Sequence, residues 1–164
     1  MTAAERSYDD EGTVPLGGYA VLAATFATGA ALFAVGARRS GVRLPDQVPP
    51  WDVALLGAAT FKASRLLTKD KVTSFLRAPF TRRQADTTAG EVMDEPRGDG
   101  VVRRAVGDLV SCPFCVSVWV AATLAGGYAC APRAARLVCA GLGAVTVADW
   151  LQYAWSLTER KAED

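Results

Sequence analysis

Histidine is missing from all 164 residues of this sequence. Its absence excludes a Ser-His-Asp triad, a His-ligated zinc enzyme and a haem held by a proximal histidine. Net charge is missing too, because 18 Lys and Arg stand against 17 Asp and Glu, leaving +1. A basic nucleic-acid binder and an acidic disordered chain are thereby excluded as whole-chain descriptions. No internal repeat is evident, and the length suits one domain with one modest core.

Charge is also missing locally. None occurs in the 26 positions from Gly12 to Ala37, nor in the 24 from Leu109 to Pro132, whereas 22 of the 35 charged residues crowd into 38–108. A helix of about 20 apolar residues crosses a hydrocarbon core roughly 30 Å thick. The sequence therefore reads as an all-α, polytopic helical membrane protein with about four transmembrane helices and a short amphipathic surface helix. A single membrane domain, 18–157, lies between an acidic N-terminal tail, 1–17, and a C-terminal tail, 158–164. A soluble four-helix bundle fails on the two uncharged runs unless oligomerisation buries them.

Four spans are expected, at 18–37, 51–67, 112–131 and 134–157. The first ends at Arg38-Arg39, and rows of small residues (Ala23, Ala27, Ala31) suit close helix packing. A cleaved signal peptide would have a basic leader, but Glu5, Asp9, Asp10 and Glu11 outnumber Arg6, so this span reads as retained. The second opens at Trp51 after Pro49-Pro50 and stays largely apolar until Lys62 and Arg65, whose long side chains can snorkel. Its competing reading is a half-span lying at the interface. The third begins at Cys112-Pro113. The fourth offers Ala140, Ala144 and Ala148 to another helix and holds Trp150, Tyr153 and Trp155 near one interface.

With four spans and both termini inside, eleven Lys and Arg are cytoplasmic and five are outside, as the positive-inside rule prefers. The loop 68–110 is then cytoplasmic. Within it, Val72, Phe75 and Leu76 recur at helical spacing among Lys69, Lys71 and Arg77, the pattern of a basic amphipathic surface helix. From Thr81 to Gly100 the chain is polar and glycine-containing and reads as a mobile loop.

Three groups of residues bear on chemistry. In Cys112-Pro113-Phe114-Cys115, proline at the first helical position makes Cys112 the N-cap, where backbone N–H groups favour a thiolate. Buried structural thiols, a redox dithiol and a metal site are three competing readings of this motif. Zinc wants four ligands, and the site offers Cys112, Cys115 and at most Asp108. Cys130 lies 15 residues beyond Cys115, about 22 Å along a helix. Zinc would therefore have to be shared between two chains, and no cofactor is predicted. Cys130 and Cys139 flank the short outer turn, as a pair that an oxidising exterior could bridge or as apolar packing residues. Asp149, inside the fourth span, is expected to pair with Lys62 or Arg65, because an intramembrane carboxylate is costly unless compensated.

The run Phe61–Phe80 (FKASRLLTKDKVTSFLRAPF), with Gly107-Asp108 and the CPFC motif followed by Trp119, resembles the small bacterial membrane proteins of domain of unknown function 1360. The likeness covers about 51–156 and rests on two blocks, R-L-[LT]-T-x-D and C-P-F-C-x-x-x-W. The resemblance implies a bacterial inner-membrane protein, with some relatives in spore-forming organisms, and supplies no reaction. Matching positions are Arg65, Asp70, Arg77, Pro79, Asp108, Cys112, Cys115 and Trp119, clustered at the cytoplasmic face. The expectation is a non-enzymatic scaffold or docking protein whose partners are the lipid bilayer and a second copy or another membrane protein, with no nucleic acid. The alternative is a membrane thiol oxidoreductase with Cys112 as nucleophile and Cys115 as resolving thiol, or a metal-binding protein using the same motif.

Overall fold

The computed structural model describes Tyr8, residues 14–86 and residues 91–163. Most of the acidic N-terminal stretch therefore lies outside the described residues. The elements are α1 (Leu16–Arg39), α2 (Pro50–Thr68), α3 (Ser74–Arg77), β1 (Thr81–Asp86), β2 (Val92–Pro96), α4 (Val101–Ser111), α5 (Pro113–Cys130) and α6 (Pro132–Glu163). Three helices begin on proline, whose fixed φ and missing N–H suit the first helical position. α1 stops where Gly41 adopts φ 69°. There the Val42 N–H reaches the Ala37 carbonyl and the Gly41 N–H the Arg38 carbonyl, the paired bonds that close a helix through a left-handed residue.

Three helices, Leu16–Arg39, Pro113–Cys130 and the first 31 residues of α6, are long and apolar enough to cross a membrane. Leu32, Phe33 and Val35 of α1 and Trp150, Leu151 and Trp155 of α6 stand exposed. Such faces suit lipid tails as solvent and mark membrane association. α2 is 19 residues long, but Asp52, Lys62 and Arg65 keep it outside that set.

The chain divides into two compact units, one of Met1–Gly36 with Arg65–Val116 and one of Ala37–Ser64 with Ser117–Asp164. The first corrects two expectations. It is not all-α, because β1 and β2 form an antiparallel hairpin in the stretch read as a mobile loop. Arg82 faces Glu95 and Arg83 faces Asp94, with an irregularity before Ala85. The pairing rests on opposite charges across the ladder, a signal without the alternation of apolar residues that usually reveals strands. The amphipathic surface helix shrinks to the single turn α3. α4 was unforeseen within the same loop and packs on the hairpin through Gly107, where a Cβ would stand 2.7 Å from the Phe80 carbonyl oxygen. The start of α1 lies on α4 just as closely, since a Cβ at Gly18 would sit 2.5 Å from the Val101 oxygen.

In the second unit α2 and α6 run parallel. Asp52 meets Arg136, Leu55 and Ala58 meet Gly143, the Thr146 hydroxyl donates to the Ala58 carbonyl, and Lys62 meets Asp149. The packed face of α6 is Ala135, Cys139, Gly143, Thr146 and Asp149, whereas Ala140, Ala144 and Ala148 are exposed. Both stripes have small residues; the chosen one also carries the hydroxyl and the carboxylate that need partners in an apolar setting.

Candidate functional site

Arg77 organises the first unit around the end of α2. It is 1 % exposed and its partner Asp94 6 %. Its Nε donates to Asp94 Oδ2 at 2.7 Å, Nη1 to the Leu67 carbonyl and Thr73 Oγ1 at 2.9 Å each, and Nη2 to the Asp70 carbonyl at 3.0 Å. The Thr73 hydroxyl donates to the Leu66 carbonyl. Leu66 and Leu67 present carbonyls in the last turn of α2, which have no partner within the helix, so Arg77 and Thr73 satisfy them. Asp70 Oδ1 accepts the Val72 N–H at 2.9 Å and turns the chain. Arg65 completes the arrangement through Glu91, with Nε to Oε1 at 2.9 Å and Nη2 to Oε2 at 2.6 Å. Sequence reasoning singled out Arg65, Asp70 and Arg77 but missed Glu91 and Asp94. Both are carboxylates in a charge-rich stretch that looks like any solvated loop.

Cys112 stands between α4 and α5 in an extended conformation, φ −108° and ψ 112°. Its carbonyl accepts the Val116 N–H and its Sγ accepts the Cys115 N–H at 3.4 Å, so it caps α5 in both senses. The extended residue breaks the helix, so Asp108 is not on a continuous stripe with Cys112. Its carboxylate instead accepts the Tyr19 hydroxyl at 2.8 Å. Burial alone pushes the Cys112 thiol up. The Cys115 thiol, the backbone N–H groups of Cys115 and Phe114 and the Lys69 ammonium outweigh it and hold Cys112 below the ordinary thiol range. Among the described residues no three Cys, Asp or Glu side chains gather as a metal-ligand set.

A lowered thiol pKa means more thiolate at neutral pH, lost as pH falls through the folded-state value. Iodoacetamide alkylation of Cys112 is therefore expected to set in at lower pH in the folded protein than in the unfolded one, whose thiol returns to the ordinary range. Mass spectrometry of the peptide across a pH series measures it. A folded-state midpoint at or above the unfolded one would contradict the capping account.

The second unit carries two polar locks. Lys62 Nζ lies 2.6 Å from Asp149 Oδ2. Of the two basic residues expected to meet Asp149, the structure brings Lys62 there, while Arg65 serves Glu91. Towards the other end of the α2–α6 contact, Asp52 accepts the Tyr128 hydroxyl and Arg136 Nε at 3.0 Å. The Arg136 guanidinium stands 5.7 Å from the Tyr128 ring centroid, within cation–π range. Neither Asp52 nor Arg136 stands out in the sequence. Their spacing of 84 positions leaves no local signal. Trp119 is half-buried in this unit. All four cysteines are free thiols, with Cys139 buried and Cys130 exposed.

The family described as protein of unknown function (DUF1360) matches residues 55–155. The chain belongs to that family. Among curated proteins, this DUF1360 member is 34% identical to sporulation protein YjcA of Bacillus subtilis (strain 168) over 111 residues, 61% of this chain and 93% of that protein. It is 30% identical to UPF0713 protein YngL of the same organism over 81 residues, 49% of this chain and 60% of that protein. No solved structure matches it. The family range takes in the Arg77 clasp, the CPFC cap and the Lys62–Asp149 pair. It leaves out α1 and Asp52.

Proposed function

We propose that this DUF1360 protein is a bacterial inner-membrane protein with four crossings and cytoplasmic termini, serving as a non-enzymatic scaffold that docks a second copy or another membrane protein on its cytoplasmic face. One observation carries the topology. The start of α1 packs on α4 through Gly18 and Tyr19, and the end of α2 is clasped by Arg77 within the same unit. A chain that leaves this unit through α1 and crosses the bilayer has to return through 40–68, where α2 is the only helix. α2 is 19 residues long, about 28 Å at helical rise, close to the hydrocarbon thickness. Its parallel course beside α6 supports the same reading, as does the excess of basic residues on the side of 68–112. The clasped hairpin and α4 give that side a defined surface on which a partner can dock. Sporulation, in the name of the Bacillus subtilis relative, is extended to this chain as part of the proposal.

Epitope tags inserted at 44–46 and at 87–90 of the full chain are expected to differ in sidedness. In spheroplasts only the first should be cleaved by external protease, and the second should become accessible after lysis. Tags exposed on the same side would remove α2 as a crossing.

The Cys112 cap favours a second reading, a thiol oxidoreductase in which Cys112 attacks a partner's disulfide and Cys115 then displaces the partner's thiol. The alkylation profile tests its first requirement. The same two thiols from each of two chains are also the donor set a shared zinc would take, four sulfurs in all.

A further inference from the structure

The turn that follows α2 is built inside out. Thr73 and Ser74 are half-buried and the Arg77 guanidinium is 1% exposed, whereas Val72, Phe75 and Leu76 of the same stretch are 81%, 71% and 48% exposed. Water selects the opposite order, with charge outside and apolar side chains within. A single exposed apolar residue is ordinary, but here three of five successive positions are bare while the neighbouring charge is buried. The polar side is also pinned. Thr73 and Arg77 donate to the Leu66 and Leu67 carbonyls, and Arg77 donates further to Asp94 and to the Ser74 hydroxyl. The turn cannot roll its apolar side inward without giving up those bonds. The unit that carries it also contains most of α1 and the first turn of α5, two helices long and apolar enough to cross a membrane. A bilayer that takes up both helices brings its surface to this unit, where bare apolar side chains gain by leaving water for lipid.

We propose that Val72, Phe75 and Leu76 form a rigid wedge that inserts into the bilayer surface, with the Arg77 clasp as the device that holds it outward. The partner is the lipid boundary itself, below the headgroups. The wedge rests on the membrane reading above, through α1 and α5, and does not need α2 to cross. Its test uses the full chain in nanodiscs of phosphatidylethanolamine and phosphatidylglycerol. The photo-reactive residue p-benzoylphenylalanine is placed, one site at a time, at Val72, at Phe75, at Leu32 and at Gln84. Leu32 is 68% exposed in the middle of α1 and reports the membrane setting. Gln84 is exposed on the hairpin face that also bears Arg82 and Glu95 and reports water. All four side chains are exposed, so the probe displaces no buried contact.

After illumination, mass spectrometry is expected to find lipid adducts at Leu32, Val72 and Phe75, and at least about tenfold fewer at Gln84. Adducts at Leu32 without adducts at Val72 and Phe75 would overturn the wedge and leave the membrane reading standing. Absence of adducts at Leu32 would remove the membrane reading and the wedge with it. Cross-links from Phe75 to a second copy in place of lipid would make the turn a protein interface and overturn the wedge. Equal yields at Gln84 and Phe75 would mean random collision with lipid and overturn it as well.

Discussion

Arg77→Leu is expected to destabilise the first unit by about 3–5 kcal/mol, the usual consequence of removing one member of a buried ion pair. The magnitude follows from burial. Arg77 and Asp94 are 1% and 6% exposed, so water screens them little, and the variant takes from the Asp94 carboxylate the guanidinium it is bonded to. The Leu67 and Asp70 carbonyls lose their donors at the same time. Lysine should not rescue the site, because a single ammonium cannot reproduce the guanidinium fork that reaches Asp94, Leu67 and Asp70 together. Arg77→Leu/Asp94→Leu should recover a large part of the loss, since the uncompensated charge is then gone. Hydrogen exchange over 65–111 in detergent measures each effect. Unchanged protection in Arg77→Leu would show that the clasp contributes nothing to the unit.

Asp149→Asn carries the second large expectation, and its size depends on the solvent around α6. Lys62 is 12% and Asp149 34% exposed. With that surface in water, screening would reduce the pair to roughly 1 kcal/mol or less. With hydrocarbon in its place, the Lys62 ammonium left behind has neither counter-charge nor hydration, and the expected loss is about 3 kcal/mol or more. Thermal unfolding in lipid nanodiscs reads this directly, and the exchange Lys62→Asp/Asp149→Lys should restore part of it. A change within about 0.5 kcal/mol, the range of ordinary surface substitutions, would count against both the pairing and the membrane setting.

Much of the helical framework is legible in local patterns. Two uncharged runs announce α1 and α5 because a long apolar helix must exclude charge along its whole length. Pro113 marks the start of α5 because an N-terminal N–H has no partner to lose. The Cys112 cap follows from four adjacent letters. The hairpin was not legible, because two of its five cross-strand pairs match by charge and its strands show no internal period. The packed stripe of α6 was ambiguous for a related reason: a helix apolar on every side has no preferred face until a neighbour supplies one.

Chain order alone therefore sets where this protein can be helical, where it cannot carry charge and which residues open its helices, since those rules act over a few successive positions. Folding in three dimensions selects the partners: Asp94 for Arg77, Glu91 for Arg65, Asp149 for Lys62, and Asp52 for Tyr128 and Arg136. An ionic side chain names only the sign of what it needs. Its partner is whichever opposite charge the packed backbone brings within about 3 Å, because at that range, away from water, the attraction is strong enough to hold it.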